Sequence, residues 1–127
     1  MPDSTQVTVF VCRTCGAASD CPEGTGARLE ASVRVAVAAG AHDGAIDVVG
    51  VDCLAVCDRP ITIAFAAPDK WSYVIGDVSG DDVAFDIVQA ALAVGRSQHG
   101  VPAMVDRPEF FSAGVVARTP PASWRGM

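Results

Sequence analysis

What is scarce in this chain narrows its function before anything present does. No basic cluster occurs along it, and 9 Lys and Arg against 15 Asp and Glu leave a net charge of −6. Affinity for nucleic acid comes mainly from neutralised phosphates, so no nucleic-acid partner is expected. The acidic balance suits solubility and docking to a basic partner protein. No apolar run approaches the ~18 residues that a spanning helix needs, so no membrane partner is expected either. The opening Met1-Pro2-Asp3-Ser4-Thr5-Gln6 has neither the positive nor the apolar region of a secretory signal, which makes a cytoplasmic protein the expectation.

Histidine is reduced to His42 and His99, too few for a histidine-rich metal site. His42 sits in a Gly-flanked turn and reads as a surface residue, and His99 follows a helical stretch as a cap or solvent-facing residue. No Gly-rich phosphate loop follows a strand and no Ser/His/Asp arrangement stands out. Asp81, Asp82 and Asp86 read as a helix start and its exposed face rather than as paired catalytic carboxylates. No catalytic residue is nominated, and a binding or carrier protein is favoured over an enzyme. There are no repeats and no low-complexity tract. With 127 residues, 50% of them apolar and 19% charged, the chain is long and apolar enough for one packed domain.

What is there is cysteine, in one place. All five cysteines, Cys12, Cys15, Cys21, Cys53 and Cys57, lie between positions 12 and 57, and the rest of the chain has none. Cys12, Cys15 and Cys21 come after a strand-like run, Val7 to Val11, and Cys53 and Cys57 after a second, Ile46 to Val51. Two parallel neighbouring strands would deliver both groups of thiols to one edge of an α/β sheet. In a reducing compartment clustered cysteines bind metal or do redox chemistry more often than they staple a fold, and an odd number fits a fully paired disulfide framework poorly.

The remaining elements come in order. Val7 to Val11, apolar nearly throughout, reads as a strand covered on both faces. Arg13 to Gly26 reads as a loop, and Ala27 to Ala39 as a helix with Leu29, Val33, Ala36 and Val37 inward and Gly40 as its stop. A β-loop-α-β unit of this kind implies a right-handed crossover between parallel strands. Ile61 to Ala66 and Trp71 to Ile75 read as an antiparallel hairpin turning at Ala67-Pro68-Asp69-Lys70. Asp81 and Asp82 open a second helix that buries Val83, Ile87, Val88, Ala91 and Leu92 and closes at Gly95. The order β-α-β-β-β-α is that of a thioredoxin-like α/β core, assigned to residues 1–99. Residues 100–127 read as an extended Pro/Gly/Arg-containing tail packing on the domain or on a dimer partner, with Phe110, Phe111, Val115 and Val116 as anchors. Trp71 and Tyr73 read as packing residues.

Three chemistries can use the cysteines. A 2Fe-2S cluster needs four thiolates from two loops, which Cys53-x3-Cys57 and two of the upstream thiols supply. A tetrahedral zinc site takes Cys12-x2-Cys15 as a knuckle pair with Cys53 and Cys57. Thiol-disulfide exchange would use Cys12-Arg13-Thr14-Cys15, with Pro60 where thioredoxins carry a cis-proline. That last reading leaves Cys53 and Cys57 without a task, and no helix is expected directly after Cys12 to lower its pKa, so it ranks third.

The segments Val9-Phe10-Val11-Cys12, Cys21-Pro22-Glu23-Gly24 and Val51-Asp52-Cys53-Leu54-Ala55-Val56-Cys57-Asp58-Arg59-Pro60, with the hairpin ending in Trp71-Ser72-Tyr73, resemble the thioredoxin-like 2Fe-2S ferredoxins. The whole chain also resembles a family of small bacterial proteins described as predicted metal-binding proteins of unknown function. The match lies in the Cys-x2-Cys start, the Asp52 to Arg59 segment, Trp71 to Asp77, Arg107-Pro108 and Ala117-Arg118-Thr119-Pro120-Pro121. The resemblance implies a 2Fe-2S cluster held by Cys12, Cys21, Cys53 and Cys57, electron transfer or redox sensing with a partner protein, and a homodimer. Cys15 departs from the ferredoxin pattern; it stands as a substitute ligand and keeps zinc open as the alternative cofactor. A zinc protein would be structural or metal-handling, and the family's frequent cobalamin-related gene neighbourhoods would give it a context. Around such a centre, backbone amides near Gly16, Gly24, Gly26, Leu54 and Ala55 are expected to donate to sulfur, and Arg13 and Arg59 to offset charge or to serve as ordinary loop residues.

Overall fold

The computed structural model describes residues 6–12, 25–42, 44–51, 61–76, 78, 83–97, 99–102, 111 and 114–121. They form strands β1 (Val7–Cys12), β2 (Ile46–Val51), β3 (Ile63–Ala66), β4 (Ser72–Ile75) and β5 (Val115–Thr119), with helices α1 (Thr25–Ala39) between β1 and β2 and α2 (Val83–Arg96) between β4 and β5. The sheet is open, in the order β2-β1-β3-β4-β5. β1 and β2 are parallel and every other neighbouring pair is antiparallel. The expected β-α-β-β-β-α order is therefore observed, with a fifth strand added from the tail.

Alternation along β1 decides which face is sealed. Val7, Val9 and Val11 are fully buried and join Leu29, Val33 and Val37 of α1 and Ile87, Val88, Ala91 and Val94 of α2 in one core. The two helices pack on each other and on β1 and β2, so they share that face. Thr8 and Phe10, on the opposite face, are only half-buried, and Val49 of β2 is exposed. The expectation that both faces of β1 are covered thus holds for one face; on the other, cover is partial.

Each helix ends by a device that its glycine does not announce. Gly40 is the expected stop of α1, yet the left-handed residue is Ala41 (φ 58°). The His42 amide donates to the Val37 carbonyl (2.9 Å) and the Ala41 amide to that of Ala38 (3.1 Å), which is a Schellman cap with alanine in the position that favours glycine. Gly40 is held one residue early by packing: a Cβ there would lie 2.6 Å from the ring of His42. At the other end of α1, Thr25 and Gly26, expected in the loop, are helical.

Gly95, the expected end of α2, is buried within the helix, which runs on to Arg96. The terminus is closed from outside by the hairpin. The β3–β4 turn has Pro68 in its second position and Asp69 (φ 59°) in its third, with the Lys70 amide donating to the Ala67 carbonyl (3.2 Å), as in a type II turn. This aims Lys70, only 8% exposed, at α2, where Nζ donates to the carbonyls of Gly95 (3.2 Å) and Ser97. A cation stem lying on a helix C-terminus satisfies orphan carbonyls and opposes the negative end of the dipole. The Trp71 amide donates to the His99 carbonyl (2.8 Å), which closes the same corner.

The described part of the tail is built into the sheet. Phe111 is fully buried, stacked on Phe65 with centroids 5.7 Å apart and tilted against Tyr73 at 4.8 Å. Val115 pairs with Ile75 across a bulge. The Gly76 amide donates to the Gly114 carbonyl (2.9 Å), an approach so close that a Cβ at Gly114 would collide with the Gly76 carbonyl oxygen. Of the expected anchors, Phe111 is one; Val116 is exposed, and Phe110 lies outside the described residues. Arg118 sits over the Trp71 ring at 4.8 Å.

Three substitutions check these readings by thermal or urea unfolding. Ala41→Gly removes the strain of a left-handed alanine and should raise stability by about 1 kcal/mol. Lys70→Met keeps the stem but leaves the carbonyls of Gly95 and Ser97 without their donor, and should cost about 2 kcal/mol. Tyr73, sealed at 1% exposure, has a hydroxyl with no hydrogen-bond partner. Tyr73→Phe should therefore lose nothing and gain up to about 1 kcal/mol.

Candidate metal centre

The end of β1 is the corner to which the cysteine-bearing segments are anchored. Cys12 is the last residue of β1 and is sealed from solvent at 1% exposure. In the parallel ladder it lies level with Val51, the last residue of β2. Strand spacing puts the two Cα atoms about 5 Å apart. On the other side the Cys12 amide donates to the Thr62 carbonyl (3.0 Å), which ties the chain entering β3 to the same point. The next turn of backbone is fixed as well, by the Val78 amide donating to the Ile61 carbonyl (2.9 Å).

Cys15, Cys21, Cys53 and Cys57 lie outside the described residues, as do Arg13, Gly16, Gly24, Leu54, Ala55, Arg59 and Pro60. Asp81 and Asp82 are also outside, while Gly26 belongs to α1. The segment 52–60 leaves from Val51, level with Cys12, and returns to Ile61, whose neighbour Thr62 is bonded to the Cys12 backbone.

Neither histidine lies at this corner. His42 lies where α1 hands over to β2, its carbonyl accepting from the Ala45 and Ile46 amides (both 2.9 Å), beside the start of β1. His99 meets Trp71 just ahead of β4. Both belong to the end of the sheet opposite Cys12, about 17 Å away along a six-residue strand. Among the described residues no group of three or more His, Cys, Asp or Glu could hold a metal ion. A groove of about 230 Å³ between α1 and β2 is lined by Arg34, Val37, Ala38, Ile46, Asp47 and Val48, away from the cysteine corner. Its Arg34 is engaged by Glu30 one turn earlier (2.7 Å). No helix among the described residues is long and apolar enough to cross a membrane.

Sequence reasoning places Thr62 inside a strand and passes over it. It is completely buried and stands directly across the ladder from Cys12. The available signal is a polar residue between Ile61 and Ile63; what it lacks is the strand order, which sets β3 rather than another strand beside β1.

No curated protein and no solved structure matches the chain. A family model does, from residue 9 in β1 to residue 121 just past β5, so that both the cysteine corner and the fifth strand fall within the match. The chain thus belongs to the family described as Protein of unknown function (DUF1636).

Proposed function

We propose that the protein binds a 2Fe-2S cluster through Cys12, Cys21, Cys53 and Cys57 and serves as a cytoplasmic electron carrier or redox sensor. The observation that carries this reading is the corner itself. A sealed Cys12 ends β1 level with the end of β2, and the chain returning from 52–60 is bonded to the Cys12 backbone. When bound, the cluster would supply one-electron chemistry. The protein residues would hold it by thiolates from two segments, and the burial of Cys12 would keep water from at least one ligand sulfur. Two rigid parallel strands under the site suit a centre that must change charge with little movement.

The likeness to thioredoxin-like 2Fe-2S ferredoxins in the cysteine segments and hairpin points the same way. The net charge of −6 favours a redox partner with a basic docking surface. Burial of Cys12 argues against thiol-disulfide exchange by Cys12 and Cys15, because an attacking thiolate must be reached by its target disulfide. Zinc is the second reading, favoured by the knuckle spacing of Cys12 and Cys15.

The test is anaerobic purification with a visible spectrum and with iron, sulfide and zinc measured on the same sample. A red-brown protein with about two irons and two sulfides per chain is expected. Cys12→Ser, Cys53→Ser and Cys57→Ser should each lose or alter the chromophore, and Cys15→Ser should keep it. A colourless protein with about one zinc per chain would replace the cluster with a four-thiolate zinc site.

A further inference from the structure

The two edges of the sheet are finished differently. β5 has a bulge against β4, the cation of Arg118 and two prolines directly after Thr119, each of which discourages a further strand. β2, the other edge, reads Ile-Asp-Val-Val-Gly-Val, pairs with β1 without a bulge and contains neither lysine nor proline. The ladder fixes which of its main-chain groups face outward. Val7 pairs with Ile46 and its amide donates to the Ala45 carbonyl (2.9 Å), so Asp47, Val49 and Val51 turn their main-chain groups toward β1. Val48 and Gly50 turn theirs away, and among the described residues nothing bonds to them. The Ile46 amide, which also faces out, is held by the His42 carbonyl (2.9 Å). On the helix-free face Val49 is 39% exposed and stands beside Phe10, its half-buried ladder partner.

We propose that the β2 edge is a homodimer interface: two copies of the chain join β2 to β2 antiparallel, about a two-fold axis at Val49, into one ten-stranded sheet. The strand is self-complementary in this register. Val48 lies opposite the partner's Gly50 and Gly50 opposite the partner's Val48, and each pair exchanges two main-chain hydrogen bonds. Val49 meets the partner's Val49 at the axis, in the non-hydrogen-bonded position where side chains come closest, and Phe10 on either side extends the apolar row. Asp47 is the one charged residue of β2. The two copies of it stand four residues apart along the seam, about 14 Å, which is beyond the screening length of ~8 Å at physiological salt. An axis at Val48 would halve that separation and would call on the Ile46 amide, which His42 already holds. The two-fold also fixes the occupant as a second copy. It uses up both β2 edges and leaves only β5 edges outside, so that growth closes at two. With α1 alongside, the flank is about 20 Å long and on the order of 20 Å deep. That is near the low end of a specific interface, so the dimer should dissociate on dilution. No part of this pairing depends on a metal.

The experiment is analytical ultracentrifugation of the full chain, under reductant, over a dilution series. Wild type should sediment at twice the 13.0 kDa of one chain when concentrated and fall toward one chain on dilution. Val49→Lys sets two cations against each other at the axis while touching a side chain already exposed, and should stay at one chain throughout with an unchanged circular dichroism spectrum. Oxidative cross-linking reads the register without relying on that variant. Opposed Cα atoms at the axis are about 4.5 Å apart, within disulfide range. Val49→Cys should therefore link residue 49 to residue 49 of the partner subunit in peptide mass spectra, and Asp47→Cys should give no link from 47 to 47. A wild type of one chain at every concentration would overturn the proposal and leave the edge to a strand of another protein. A dimer that forms without the link at 49 would overturn it as well, by placing the contact elsewhere on the surface.

Discussion

The interaction on which the rest depends is the parallel pairing of β1 with β2, flush from Val7 opposite Ile46 to Cys12 opposite Val51. A parallel pair cannot be closed by a tight turn; the chain must cross over, and α1 is that crossover. The crossover obliges both strands to end on the same side of the sheet. The segments leaving their C-terminal ends are thereby delivered to one corner, and in this chain those segments carry the cysteines. A slip of one residue between β1 and β2 would turn one strand's side chains to the wrong face and would also part Cys12 from the start of the second cysteine segment.

The helices are secured to this frame in different ways, and the difference is one of distance along the chain. α1 is closed by its own next residues, with Ala41 and His42 bonding back to Ala38 and Val37. α2 is closed by Lys70, which precedes the bonded carbonyls by 25 and 27 residues. The second arrangement links the hairpin to the helix that packs above the sheet, so the tilt of one constrains the other. With the Trp71 amide bonded to His99, the far end of the sheet from Cys12 becomes a tied corner of its own, made of a lysine and main-chain groups rather than of apolar packing.

Much of the architecture was legible from local pattern. The boundaries of β2, the inward residues Leu29, Val33, Val37, Ile87, Val88 and Ala91, and the hairpin around Pro68-Asp69 all derive from periodicity and turn chemistry. Reading failed where a distant partner decides. Glycine marked neither helix end in its usual position, because His42 packs on Gly40 and because Lys70 takes over the capping of α2. Thr62 is an ordinary residue until strand order places it across from Cys12; Phe111 is legible as an anchor, but its partners, the rings of Phe65 and Tyr73, are not. At the site, sequence supplied the chemistry, five thiols and their spacing, and the fold supplied the corner that unites Cys12 with the two ends of the segment carrying Cys53 and Cys57.

β5 follows the other four described strands in the sequence, so of the five it emerges last during synthesis. Until residues 111–119 arrive, β4 is the rim of the sheet, its outward amides and carbonyls unpaired, and Phe65 and Tyr73 lack the ring that covers them. An unprotected rim beside exposed aromatic surface is the condition under which nascent or truncated chains associate with one another. The bulge opposite Val74 and Ile75, the cation of Arg118 and the two prolines after Thr119 then leave the finished rim poorly suited to recruiting another strand. Phe111 and β5 therefore act as a built-in finishing edge, and a protein released without them would be adhesive before it was unstable.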